Sequence, residues 1–360
     1  MLRRSDESLM SDTASTGLDE VRPAHAFNED RVTAWLEAHV AGFKGPMQVQ
    51  QFSGGQSNPT FLLTTARGAY VLRRKPAGPT LKTAHAVDRE YRITSALHAQ
   101  GIPVARPLAF CDDPEVMPTP FFVMEHVTGR IFWSPALPEL APAGRRATYH
   151  ALADTLARLH AVSIDDAGLA DFGKRGNYFA RQIARWSEQY RASRVQPLAA
   201  MDDLMAWLAV RSPVPSGREA VIHGDYRLDN VIFDAATPTV RALIDWELST
   251  LGDPLADLSY QCMLWHLPAG VFGSLGSVDL DSSGIPTESE YLDLYFARAG
   301  GTRPADWDAL IVYNLFRLAA ILEGVGRRAL DGNASSRRAT EMAQLVEPIA
   351  TTAWALARRS

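Results

Sequence analysis

Three runs between Met47 and Arg74, MQVQQFS, TFLLTT and AYVLRR, have strand length and are separated by Gly54-Gly55 and by Arg67-Gly68. Apolar runs bounded by such turn signals predict an antiparallel meander. A helical pattern over residues 85–99 ends near Gly101, and PLAF and FFVMEHV then read as two further strands. The order β-β-β-α-β-β thus fills residues 47–127, after a short helix over 30–41. Past Gly129 the period changes: helical patterns cover roughly 143–162, 178–193 and 204–210, and only NVIFD and RALID interrupt them. Strands first and helices later predict an α+β chain of two segregated lobes, a small antiparallel sheet with one helix and a larger, mainly helical part. The expected division is a disordered tail over 1–28, a first lobe over 29–128 and a second over 129–360.

At 360 residues and 46% hydrophobic content the chain can fill two cores. Its formal net charge of −5 is spread along the sequence, so nothing marks the whole chain as a nucleic-acid or membrane-surface binder, and any basic site must be local. Cys111 and Cys262 form no CxxC or Cys/His cluster, so neither a zinc site nor a disulfide framework is expected. The polar first 28 residues lack the apolar core of a signal peptide, and the oily stretch 310–322 is broken by Asn314, Arg317 and Glu323. A soluble, cytoplasmic protein is expected, and its oligomeric state stays open.

The chemistry concentrates in VIHGDYRLDNVIFD, where Asp225 follows a strand-like run and Asn230 stands five residues later. The run RALID then delivers a second carboxylate, Asp245. Asp, Asn, Asp is a hard-cation set, and phosphoryl transfer calls for it because its loose transition state is stabilised by positioning and by Mg²⁺ at the phosphate oxygens. A kinase catalytic loop followed by a metal-binding Asp has the same order and the same Asp-to-Asn spacing. Turn and capping residues are the plain alternative for all three.

HGDYRLDN with LIDWELSTLGDPLADLSY resembles the aminoglycoside phosphotransferase and choline kinase family, small-molecule kinases of the protein-kinase-like fold. FSGGQSNPTFLL, YVLRRKPAG, AHAVDREYRI, FFVMEHVTGR and YFARQIARWSEQY extend the likeness beyond Asn28, toward the branch related to acyl-CoA-dehydrogenase-associated phosphotransferases. The resemblance implies ATP and Mg²⁺ as cofactors. It implies Asp225 as the base that orients the attacking hydroxyl, and Asn230 and Asp245 as Mg²⁺ ligands. Ser53, Gly54, Gly55 and Ser57 fall in the loop over the phosphates, Glu90 on the helix that holds the phosphate-gripping cation, and Glu125 and Val127 in the segment that meets adenine. His223 is implied as scaffold of the catalytic loop and Asp257 as its brace. The family's usual Lys on the third strand is replaced by Arg73, a forked cation of different reach. Arg227, two residues after Asp225, is expected to aid the transferred phosphate.

Alternatives remain beside these roles. Glu90 also fits a solvated helix position, and Arg74 competes with Arg73 for the gripping role because strand positions alternate in facing. Asp253 before Pro254 reads as a helix cap. The DFG string at Asp171 to Gly173 precedes HGD, the wrong order for a metal site, and reads as a coincidence in a loop. His126, His160 and His266 read as structural. For the acceptor, Lys174, Arg175, Arg181, Arg185, Arg191 and Arg194 interleave with Tyr178, Phe179, Trp186 and Tyr190. That pattern suits an anionic, partly apolar small molecule such as a hydroxyacyl-CoA better than a polycation, unless the cations are simply a solvated face. An aminoglycoside or amino-alcohol kinase is the second expectation, and a pseudokinase-like nucleotide or acyl-CoA binding module, prompted by Arg73, the third.

Overall fold

A computed structural model describes residues 17–53, 58–76, 86–271, 273–330 and 341–360. The chain divides into two compact units. One holds residues 1–133 with 229–249, and the other holds 134–228 with 250–360.

The first unit is built on a six-stranded antiparallel sheet of order β1-β2-β3-β4-β6-β5, with β1 at Leu18–Asp19, β2 at Met47–Phe52, β3 at Thr60–Thr65, β4 at Gly68–Arg74, β5 at Pro107–Cys111 and β6 at Phe121–Glu125. Helix α1, Glu29–His39, places Val32 and Leu36 in the core with Phe61, Leu63, Leu72, Phe121 and Val123. Helix α2, Val87–Ala99, buries Val87, Glu90, Ile93, Thr94 and Leu97, one stripe at helical spacing. Glu90 belongs to that stripe, so it is not a solvated position.

Two expectations need correction. Residues 17–25 are ordered against the sheet instead of forming part of a disordered tail. Leu18 and Asp19 pair with Phe52 and Gln51, and the buried Gln51 side chain bonds His25 Nδ1 at 2.8 Å and accepts from the Arg22 N–H at 3.2 Å. A buried amide must find partners, and here the early chain supplies them. The second lobe is likewise not one continuous stretch from residue 129. The hairpin of β8, Val231–Phe233, and β9, Val240–Leu243, belongs to the first unit, because Arg130 and Phe233 exchange two backbone hydrogen bonds and Leu243 N–H donates to Pro103 O.

The second unit is mainly helical. Its helices are α3 at Pro142–His160, α4 at Tyr178–Ser193, α5 at Ala199–Val210, α6 at Leu255–Cys262, a short α7 at Leu280–Ser283, α8 at Glu288–Ala299, α9 at Trp307–Leu330 and α10 at Val346–Ala357. A two-stranded ladder, β7 at Ala220–Ile222 and β10 at Thr250–Gly252, is its only sheet among the described residues. Helix α9 has the length and hydropathy to cross a bilayer, yet 72% of its apolar window is buried within the protein, where it packs on α4, α5, α6 and α10. Burial against neighbouring helices is the behaviour of a core helix.

Packing explains the DFG string. Asp171 is exposed, Phe172 is core, and Gly173 lies against β10, where an added Cβ would sit 2.7 Å from both Leu251 N and Thr250 Oγ1. Gly173→Ala is therefore expected to destabilise the protein by about 1–3 kcal/mol, the range for overpacking a close contact, read as a lowered urea midpoint with an unchanged slope.

Candidate active site

In the first unit, strand alternation settles which arginine reaches polar company. Arg74 is buried on the core side with its guanidinium 5.8 Å from the Phe61 ring centre. Arg73 points the other way: its Nε is 2.8 Å from Glu90 Oε2, and one terminal nitrogen lies 2.9 Å from Asp245 Oδ1 and 3.8 Å from Glu247 Oε2. Burial alone would lower the pKa of Arg73, but the carboxylates of Glu90, Asp245 and Glu247 outweigh it and hold the cation charged. Glu90 is raised by burial, opposed by Arg73 and by the Asn58 amide that donates to its Oε1 at 2.7 Å.

Asn230 and Asp245 are brought together by the β8/β9 hairpin. Val231 pairs with Leu243, and Ile244 N–H donates to Asn230 O at 3.0 Å, so the residues flanking the ladder are neighbours. Asp245 adopts a left-handed backbone with φ 66°, a conformation that favours Gly but that Asp tolerates, and that marks sites over-determined by their surroundings. Among the described residues no three His, Cys, Asp or Glu side chains form a self-contained metal cage. The donors nevertheless fit Mg²⁺, which takes one or two protein oxygens and completes its shell with water and phosphate. One guanidinium faces three carboxylates here, a formal balance of −2 that a divalent cation would close.

The remaining residues expected at the nucleotide fall as follows. Ser53 donates its hydroxyl and its N–H to Gly17 O, at 2.8 and 2.9 Å. Gly54, Gly55 and Ser57 lie outside the described residues. Glu125 pairs its side chain with Arg106 at 3.3 Å and donates its N–H to Arg106 O, and with Val127 it lines a cavity of about 420 Å³ shared with Val104, Thr239 and Arg241.

In the second unit, Asp225 follows β7 in a turn whose backbone is held from beneath. Asp257, fully buried, accepts the His223 N–H at 2.7 Å and the Gly224 N–H at 2.9 Å, and His160 Nε2 lies 3.4 Å from it. The brace expected at Asp257 is thus geometric fact. His223 Nδ1 accepts the Asp225 N–H at 3.2 Å, which makes it scaffold. The Asp225 side chain is 24% exposed; its Oδ1 accepts the Tyr260 hydroxyl at 2.7 Å and stands 3.8 Å from Arg227 Nε. Burial pushes its pKa up, but Arg227, the Tyr260 hydroxyl, Arg317 and His223 together pull it below the ordinary carboxylate range. Asp253 accepts the Leu255 N–H, as a cap does, and also holds Ser216.

Sequence reasoning missed Asn58, Glu247, Tyr260 and Arg317. Only Arg317 carried a signal, a lone charge within an apolar helix that had to find a partner. The reading of α4 also needs correction. Tyr178, Phe179, Trp186 and Tyr190 are buried and serve the core, while Arg175 pairs with Asp165 and Glu219, Arg194 pairs with Asp202, and Arg181 donates to the carbonyls of Lys174 and Arg175. Exposed cations and exposed aromatics therefore do not interleave on one face, because the aromatics follow the helical period toward α9.

This architecture has counterparts among known proteins. Residues 48–310 match the model of the phosphotransferase enzyme family. The chain belongs to that family. A Ralstonia eutropha JMP134 crystal structure classed with the aminoglycoside phosphotransferases is 42% identical, with a TM-score of 0.85 over 93% of this chain and 99% of that one. Spectinomycin phosphotransferase, solved with ADP and spectinomycin, is 12% identical with a TM-score of 0.61 over 93% of this chain and 99% of its own, a likeness of fold alone. Acyl-CoA dehydrogenase family member 11 of Gallus gallus is 42% identical over 95% of this chain but only 45% of its own length. The chain thus spans less than half the length of that curated relative.

Two outcomes follow for this chain. Arg73→Ala leaves Glu90 buried without its cation and is expected to cost about 3–5 kcal/mol, whereas Arg73→Lys retains most of that, both read by urea denaturation. The Asp257 carboxyl is raised by burial but held below its ordinary value by His160, His223 and the Gly224 N–H. A carboxylate depressed in the folded state contributes stability that is complete above its unfolded pKa of about 3.9 and is lost as pH falls through the lower folded value. Asp257→Asn is therefore expected to flatten the loss of stability below about pH 4, measured as the urea midpoint against pH.

Proposed function

We propose that the protein is an ATP- and Mg²⁺-dependent kinase that phosphorylates a hydroxyl of a hydroxyacyl-CoA or a related small metabolite. The observation that carries the reading is the buried Arg73, bound at once to Glu90 and Asp245, which is the arrangement a phosphate-gripping cation needs. The guanidinium fork replaces the usual ammonium and keeps its charge through burial. Asn230 and Asp245 would hold Mg²⁺, which supplies charge neutralisation at the phosphate oxygens. Asp225 orients the acceptor hydroxyl and takes its proton as the oxygen bonds to the γ-phosphorus and the bond to the β-phosphate oxygen breaks, releasing ADP. The low pKa of Asp225 keeps it ionised at neutral pH, ready to accept. Arg227, whose Nε stands 3.8 Å from Asp225 Oδ1, would steady the transferred group beside that base.

For the acceptor, two supports favour an acyl-CoA. Lys174, Arg185 and Arg191 are exposed along and before α4, where phosphates can pair with them. Relatives spanning nearly all of this chain are acyl-CoA dehydrogenase family members. The Ralstonia likeness favours the second reading, an aminoglycoside or amino-alcohol acceptor.

ADP release is the test, with Mg²⁺-ATP against hydroxyacyl-CoAs, free hydroxy acids, amino alcohols and aminoglycosides. Turnover on an acyl-CoA is expected, with kcat lowered by about 10²–10⁴ in Asp225→Ala. Turnover confined to aminoglycosides or amino alcohols would replace the acceptor, and undiminished turnover in Asp225→Ala would defeat the assignment of the base. In Asp245→Ala, Mg²⁺-ATP binding by calorimetry is expected to weaken at least tenfold, about 1.4 kcal/mol.

A further inference from the structure

Arg317 lies midway along α9, flanked by Phe316, Ala319 and Ala320, all fully buried, and is itself 6% exposed. A permanent cation in such a place is retained only where specific groups compensate its lost hydration. Its guanidinium stacks over the Tyr260 ring at 4.8 Å and the Trp186 ring at 5.5 Å. One terminal N–H donates to the carbonyl oxygen of Gly224, the residue immediately before Asp225. The Tyr260 hydroxyl, on the ring that Arg317 covers, donates to Asp225 Oδ1 at 2.7 Å. The guanidinium therefore holds both the peptide that leads into Asp225 and the ring whose hydroxyl grips its carboxylate. All of these residues belong to the second unit.

We propose that Arg317 and Tyr260 are positioning residues for Asp225. This rests on the reading of Asp225 as the base. Tyr260 fixes the rotation of the carboxylate about its Cβ–Cγ bond, so that the acceptor hydroxyl meets an oxygen of set direction. Arg317 fixes the Gly224 carbonyl from one side while Asp257 fixes the Gly224 N–H from the other, so the peptide plane cannot turn. The cation also favours the ionised form of Asp225, alongside Arg227 and His223. A purely structural role in the core would require none of this polarity, since Tyr260→Phe preserves the ring and its packing.

The test reads Asp225 directly and needs no acceptor. The carboxyl carbons of aspartate are labelled with ¹³C, the Asp225 resonance is assigned with Asp225→Asn, and its titration is followed in wild type, Tyr260→Phe, Arg317→Lys and Arg317→Met. The midpoint is expected to rise by about one unit in Tyr260→Phe, as loss of a hydrogen bond to the charged form requires. It should rise in Arg317→Met and less in Arg317→Lys. An unchanged midpoint in Tyr260→Phe, with the melting curve intact, overturns the proposal. Should Arg317→Met fail to fold, Tyr260→Phe and Arg317→Lys decide. With an acceptor that turns over, Tyr260→Phe should lower kcat about tenfold or more and leave KM for ATP unchanged, the signature of a group acting only in the chemical step. Full turnover in Asp225→Ala would sink the base assignment while leaving the titration result standing, so the two failures are separable.

Discussion

Buried backbone donors need acceptors, and that requirement governs the second unit. The His-Gly-Asp turn carries two N–H groups into a fully enclosed place, and the Asp257 carboxylate takes both. A side-chain carboxylate does this better than a carbonyl, because hydrogen bonds to an ionised acceptor are shorter and stronger. The same carboxylate is met by His160, which is fixed in turn by Tyr295 at 2.8 Å. Helices α3, α6 and α8 thereby converge on one peptide segment, and the direction of Asp225 follows from theirs.

The first unit answers to a different constraint, which is charge in the interior. Arg73 is worth burying only because Glu90 lies on the core stripe of α2 and Asp245 at the end of the β8/β9 hairpin. A lysine there would offer a compact point charge with three rotatable donors and no fixed fork. The forked guanidinium spans two carboxylates, which is why a substitution that departs from the family's usual residue keeps the arrangement intact. The surplus of negative charge around it is what the proposed Mg²⁺ would balance.

Much of this was legible in the sequence. Alternating strand runs and glycine turns placed β2 to β6, and short apolar runs singled out Asp225 after β7 and the pair Asn230 and Asp245 at the β8/β9 hairpin. What escaped was information carried by the third dimension. Tyr260 looks like any residue of an amphipathic helix until the turn folds over it, and Arg317 looked only like an interruption of hydropathy. The aromatic residues of α4 were read as acceptor-facing because their spacing to the arginines is local, whereas their burial is decided by α9, more than a hundred residues away. Residues 17–25 look polar and loose because their partner, Gln51, lies in another element.

The buried charges show how far function can be separated from architecture here. Asp253 and Glu323 accept backbone N–H groups of Ser216 and Val195 and tie loops to helices, a task any fold requires. Arg74 leans on Phe61. Glu90, Asp257 and Arg317 are different, for each touches either a residue bearing the proposed chemistry or the peptide leading into it. Well-packed apolar groups would often cost less than such buried ions, so their presence is not accounted for by stability. It is accounted for if Arg73 and Asp225 must each be held in one orientation, which is what a phosphoryl transfer driven by positioning demands.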